Sequence, residues 1–278
     1  MSSIPAKTRR VAIGVGVVAL WLVGLLLMLR RNASRSEEQR LAEVALTVQP
    51  ATFYYLVERD GQTIGSASSA IDTTVQNLVS EEYFVGDFPS SSGTVGRTTA
   101  RWQTTLTRGF RLQAMTIEIA RATLPFSIRA AVEEDTTLVA AVAGSGRVTP
   151  AARLNFTPPV FTPTLASIAF MLGGPRDVGR AQTMSVFDPT TRTVLRPELK
   201  IHAESLFSVV DSAATDAAGN WAVAHRDTVR AWRVESTPAA ISAWVDAEGR
   251  VVAARMPGGL SVSRTAFEIA FRASQTRK

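Results

Sequence analysis

The sequence predicts a mainly β protein: a curved antiparallel sheet or half-barrel with a short plugging helix, preceded by a single N-terminal transmembrane helix. Three observations carry this. Beyond Ala51 the apolar residues alternate with a period of two in about ten short segments, punctuated by Asp, Asn, Gly and Pro. Almost nothing there sustains a helical period. Before it, Val11–Leu29 runs for nineteen residues without a charge, and at about 1.5 Å per residue it spans roughly 28 Å, close to a bilayer's hydrocarbon core.

The chain accordingly divides into a basic tail (1–10), an anchor (11–29), a juxtamembrane linker and helix (30–50) and a β-rich domain (51–278). The anchor is bounded by Val11 and Leu29, carries Trp21 and is closed by Arg30 and Arg31. Its apolar core is longer than a secretory leader's, and Arg30–Arg31 stands where a cleavage site needs small residues. Ala12 and Gly16 form a small-xxx-small pair that lets two such helices approach. Asn32-Ala33-Ser34 matches a glycosylation acceptor by chance, because it abuts the bilayer. Ser36 and Gln39 fit a capping box for a helix running to about Leu46, and Gln49–Pro50 ends it.

From there the period changes. Phe53–Glu58 and Gln62–Ile71 flank Asp60–Gly61, a pair suited to a type I′ hairpin because both central residues need positive φ. Asp87–Gly96 reads as a polar loop. Arg97–Thr107 and Phe110–Ala120 form a second hairpin, with Met115, Ile117 and Ile119 on one face. Phe126–Val132 and Thr137–Val142 form a third, tipped by Glu133–Glu134–Asp135. Pro150, Pro158, Pro159 and Pro163 then break any regular element between Val148 and Pro163. Leu165–Leu172 makes two helical turns, stopped by Gly173–Gly174, and plugs the sheet. Strands return at Ala181–Phe187, Val194–Ala203, Leu206–Val210, Val229–Glu235, Ala240–Val245 and Val251–Met256. Their turns fall at Asp188–Pro189, Asp216–Asn220 and Asp246–Gly249. Phe267, Ala270 and Phe271 close the chain with a helical turn.

Charge excludes one function class. Lys7, Arg9, Arg10, Arg30, Arg31 and Arg35 lie in the first 35 residues with no acid, and the net charge of the chain is +6. The other 24 basic residues face 24 acids, so the domain is neutral and has little pull on nucleic-acid phosphate. The basic residues on the two flanks of the span nearly balance, so charge does not choose its orientation. With no cysteine, neither disulfides nor thiolate chemistry enter.

Two stretches point further. Val186-Phe187-Asp188-Pro189 is followed by Ala243-Trp244-Val245-Asp246-Ala247-Glu248-Gly249-Arg250-Val251-Val252, then Pro257-Gly258-Gly259-Leu260. This pattern resembles uncharacterised bacterial envelope β-domains whose architecture is similar to the lipoprotein-carrier half-barrels, LolA and LolB. The resemblance spans roughly Phe53 to Phe271. It implies an outward-facing sheet domain in the periplasm or outside the cell, on a cytoplasmic-membrane anchor, and brings no catalytic residue with it.

No motif assigns a catalytic, cofactor or metal site. His225 lies near Asp211, Asp216 and Asp227 in sequence, so a serine-hydrolase arrangement can be drawn with Ser205 or Ser208, but no nucleophile-elbow motif supports it. His202 reads as a strand-face residue. The acids 133–135 read as a solvated turn, and Gly144-Ser145-Gly146 lacks the lysine of a phosphate loop. The weight falls on apolar residues: Phe156, Phe161, Leu165, Ile168, Phe170 and Met171, with Trp244, as contacts for a lipid or lipoprotein ligand, or as completion of the core. The expected function is non-catalytic binding of a lipid, lipoprotein or envelope partner beside the membrane. The alternatives are an assembly module pairing through a sheet edge and a hydrolase using His225.

Overall fold

The computed structural model describes residues 37–275 apart from 90–94, 122–124, 145–146, 190, 218 and 239–240. The proposed anchor, with Val11, Ala12, Gly16, Trp21, Leu29, Arg30 and Arg31, lies outside the described residues, as does Asn32. Among the described residues no helix is long and apolar enough to cross a membrane.

Fourteen strands form one antiparallel sheet. Helix α1 (Glu37–Thr47) leads into it, burying Leu41 and Ala45 at i, i+4 spacing, with Val48 just beyond. Strands β1 (Ala51–Arg59) and β2 (Gln62–Thr73) turn at Asp60 (φ 49°) and Gly61 (φ 78°), as the Asp-Gly pair predicts. A meander follows through β3 (Asn77–Pro89), β4 (Val95–Thr107), β5 (Leu112–Arg121), β6 (Phe126–Glu133), β7 (Thr137–Gly144) and β8 (Arg147–Asn155). Helix α2 (Pro163–Leu172) comes next, then β9 (Ala181–Thr183) and the two-stranded β10 (Val186–Asp188) and β11 (Thr193–Leu195). The return meander is β12 (Glu198–Thr215), β13 (Trp221–Thr237), β14 (Ile241–Val245), β15 (Val251–Met256) and β16 (Leu260–Thr265). Helix α3 (Phe267–Ser274) closes the described chain. The order β8-β7-β6-β5-β4-β3-β2-β1-β16-β15-β14-β13-β12-β9 puts the first and last strands together in the middle, where β1 pairs with β16. The sheet does not close: β8 and β9 are its edges.

Several stretches differ from the sequence reading. β3 was hidden because its inward row alternates Leu78, Ser80, Glu82 and Phe84, so polar residues interrupt the apolar period. It also runs into the stretch read as a loop, reaching Pro89, while β4 begins at Val95. β8 forms despite Pro150, because an edge strand tolerates a missing N–H and the ladder bulges between Ala140 and Val142 opposite it. Finally, the expected strand Val194–Ala203 begins in β11, and its remainder joins Leu206–Val210 in one strand: β12 is continuous for 18 residues and β13 for 17, with bulges near Ala203 and Ser212. Ala181–Phe187, in turn, splits between β9 and β10.

Both edges are blunted. β8 carries Pro150 and Arg153, and β9 has only 3 residues. The inner face of the sheet, the one α2 covers, holds two apolar clusters. One gathers Ile71, Leu78, Leu106, Phe110, Ile201, Trp232 and Val245 around α2. The other gathers Leu112, Met115, Ile117, Ile128 and Leu138 beneath Val160 and Phe187.

Candidate functional site

The plug is the natural place to look for a ligand surface, and it is filled. Thr162 precedes α2 in extended conformation, Pro163 starts it, and Gly173 stops it by donating N–H to the Ala169 carbonyl at 2.9 Å. Apolar on every side, α2 is a helix that has to be enclosed. Phe161, Leu165, Ile168, Phe170 and Met171 are all at most 1% exposed. Phe161 packs edge-on to Phe110, and the Arg180 guanidinium lies 4.3 Å from the Phe170 ring centre while donating to the Phe170 carbonyl. Burial there lowers the Arg180 pKa. The space left between α2 and β1–β2 is about 10 Å³, room for one ordered water at most and for no ligand.

Phe156 and Trp244 stand elsewhere. Phe156 is half-buried in the second inner cluster. Trp244 faces the opposite side of the sheet, with its ring centre 4.9 Å from that of Phe207, over Val209, Ala231 and Val252. The seven residues expected to contact a ligand therefore occupy three clusters on two faces.

Beneath the plug lies a polar patch that the sequence did not reveal. Phe53, Ser69, Glu82 and Trp102 are cross-strand neighbours on the inner face. Glu82 meets the Thr164 hydroxyl at the first turn of α2. Burial raises its carboxyl pKa, and that hydrogen bond partly opposes the shift. Tyr55, opposite Arg264, is pushed up mainly by burial. Arg264 lies 4.0 Å from the Phe53 ring centre and pairs with Asp246 at 2.9 Å, with both side chains largely buried. Asp246 in turn accepts the N–H groups of Glu248 and Arg250 and shapes the turn to Gly249. The Asp246–Gly249 pattern thus works as a bracket for the plug.

The outer face carries an open depression of about 510 Å³. Its floor is the cross-strand row Tyr83, Arg101, Glu118, Ser127 and Ala143; Phe126, paired with Ile119 and Gly144, belongs to the alternate row and lines only its margin. Arg101 is held by a two-pronged contact with Glu81, 3.0 and 2.9 Å, which raises its pKa. Tyr83 and Phe126 are 41% and 37% exposed. Only the alternation along β3 and β4 could have signalled this row.

The remaining candidates are surface groups. His225 Nδ1 stands 3.6 Å from Asp211 and 3.9 Å from Asp227, all three exposed on the β12–β13 hairpin. Of the described residues these three could hold a metal ion. Ser208 sits opposite Thr228 and Ser205 opposite Ala231. Thr228 is three positions from His225, roughly 10 Å along the strand and on the other face. The register therefore keeps Ser205 and Ser208 away from the histidine and sets Ser212 opposite it. His202 faces Glu235 at 3.3 Å. Glu133 pairs with Arg153 at 2.8 Å, and Glu134 and Asp135 take positive φ at the turn. Gly144 ends β7, and Ser145–Gly146 lie outside the described residues.

The geometry defines a class: an unclosed antiparallel sheet, barrel-like in layout, wrapped on one buried helix. A solved structure of the same kind is the β-barrel-like protein of the domain of unknown function DUF1849 from Brucella abortus. It matches with a TM-score of 0.51 and 11% identity over 77% of this chain and 95% of its own. A DUF1089 family protein from Pseudomonas aeruginosa aligns over 69% of this chain and 90% of its own, with a TM-score of 0.35 and 11% identity. No family model matches the chain, and no curated protein matches it. The first likeness establishes a β-barrel-like fold and nothing of activity.

Proposed function

We propose that this protein is a non-catalytic, membrane-tethered envelope module that binds a protein partner through the outer face of its sheet. The observation that carries this is the depression across β3–β7, with the exposed Tyr83 ring across from an ion-paired arginine. Aromatic anchors around a positioned Arg are the usual composition of a protein-binding hot spot. The filled plug moves binding outward, and the blunted edges weigh against strand addition. The tether is the uncharged run 11–29, and the outward orientation rests on the resemblance to envelope β-domains.

A photo-crosslinking residue at Tyr83 or Ser127 in the full chain, expressed in its native host, is expected to capture the same partner from both positions. Arg101→Glu should abolish that capture. Equal labelling from exposed Arg129 would remove the proposal. A C-terminal reporter active only outside the cytoplasm checks the orientation.

A second reading keeps the lipid or lipoprotein ligand implied by the lipoprotein-carrier resemblance. It is favoured by the Trp102 indole N–H, buried without a partner among the described residues, beside half-buried Ile119 and Val142. Native mass spectrometry of the purified full chain would show a co-purifying lipid, lost in Trp102→Ala.

A further inference from the structure

From residue 221 to 228 strand β13 is exposed on both faces, so the outer part of the β12–β13 hairpin is held by its ladder with little packing. A two-stranded ribbon of that kind is marginal in water and gains most from a tie between its strands. The ladder is irregular there. Val210 pairs with Arg226 and Ser212 with His225, so Asp211 is an extra residue on β12. The next pair is Ala213 with Val223, which makes Ala224 an extra residue on β13. Bulges therefore stand on both strands beside His225, and a bulge re-aims the side chain it carries.

Three ligand-type side chains meet at this irregularity. His225 and Asp227 lie two positions apart and share one face of β13. It is the outer face, since Asp227 stands opposite Val209 of the cluster under Trp244. The bulge brings Asp211 to the same side: His225 Nδ1 is 3.6 Å from its carboxylate and 3.9 Å from that of Asp227. All three ligand atoms lie within 4.8 Å of one another. Both separations exceed hydrogen-bond length, about 2.7–3.2 Å. They are close to the roughly 3.4 Å between neighbouring ligand atoms that each sit about 2.1 Å from a tetrahedral zinc ion. Among the described residues neither aspartate pairs with a lysine or arginine, which leaves two carboxylates on one imidazole.

We infer that Asp211, His225 and Asp227 bind one divalent transition-metal ion of the zinc class, which clips the two strands of the hairpin together. The donor set chooses the ion. One imidazole nitrogen with two carboxylate oxygens suits zinc and its borderline neighbours, whereas calcium and magnesium take all-oxygen shells and copper(I) takes thiolates and thioethers. Three protein ligands leave the fourth position to water. The site lies on β12 and β13, not on the strands β3–β7 that carry the partner surface proposed above, so neither reading depends on the other.

The chain holds only two histidines, so each imidazole can be followed separately by NMR. Untagged full-length protein in detergent, stripped of metal with a chelator, is titrated with zinc chloride. The inference predicts one zinc per chain, a shifted Nδ1 resonance for His225 and an unmoved one for His202, which faces Glu235. In calorimetry Asp211→Asn and His225→Ala should each weaken zinc binding about tenfold or more, while His202→Ala leaves it unchanged. Asp211 and His225 are exposed, so without zinc both variants should melt with the parent. Amide exchange across residues 221–228 should slow with zinc in the parent and not in His225→Ala. Zinc that leaves the His225 resonance in place, or that binds His225→Ala as well as the parent, overturns the site. Zinc held at His225 without slower exchange overturns the clip.

Discussion

Ser167 and Gly249, 82 positions apart, are joined by a hydrogen bond: the Ser167 hydroxyl reaches the Gly249 carbonyl at 2.8 Å and shares its proton with the Thr164 carbonyl at 2.7 Å. Gly249 takes φ +80°, and a Cβ there would stand 2.5 Å from Ile168 Cα and from the Ser167 carbonyl oxygen. Gly249→Ala therefore strains the turn and pushes the plug off the sheet. We expect a loss of about 3 kcal/mol or more in urea unfolding. Gly258→Ala is the control. It has a similar φ of +81° but open space around it, and should cost about 1 kcal/mol. Equal losses would mean that Gly249 is only a turn residue.

The buried Arg264–Asp246 pair makes a second prediction. Arg264→Met leaves the Asp246 carboxylate without its partner in a largely buried place, and should cost about 3–5 kcal/mol. Asp246→Asn keeps the acceptor for the Glu248 and Arg250 N–H groups and should cost less than Asp246→Ala, which loses the turn as well. Unfolding of the double variant Arg264→Met/Asp246→Asn should recover part of the first loss.

Glu82 sets a pH dependence. Its carboxyl is held above the ordinary carboxylate range by burial, so the folded state binds its proton more tightly than the unfolded chain does. The stability from this group is complete below the ordinary carboxylate range and is lost as pH rises through the raised value. Glu82→Gln keeps a partner for Thr164 without the charge. The variant should melt higher than the parent at pH 8, and its stability should fall less between pH 4 and 8. A parent whose stability rises over that interval by the same amount as the variant's would contradict this.

Truncating the plug tests whether α2 is core. Phe170→Ala and Leu165→Ala remove enclosed side chains and should each cost about 3–5 kcal/mol. Phe271→Ala, which removes a half-exposed ring, should cost less than about 1 kcal/mol in detergent solution. A lid over a ligand cavity would give the opposite order, with near-neutral stability at 165 and 170.

The stretches legible from the residues were those where one local rule acted alone. Asp60–Gly61 announced its hairpin because only such a pair accepts two positive φ values in succession. Leu165–Leu172 announced a plug because a helix apolar on all sides cannot stay exposed. Strand β3 was illegible because Ser80 and Glu82 point inward, and β8 because Pro150 at an edge looks like a break. The long β12–β13 hairpin was cut short for a related reason: residues 221–228 are exposed on both faces, so no burial pattern marks them as strand.

Sequence alone thus determined the fold class, the plugging helix, the neutral domain and the uncharged run before it, since composition and periodicity express solvent preference residue by residue. The tertiary structure decided what those residues face. It seated Gly249 against Ile168, put Trp244 on the opposite side of the sheet from the plug, and lined up Tyr83 with Arg101 across strands. Such relationships depend on register between segments more than 200 residues apart, as where β1 pairs with β16, and no local pattern records them.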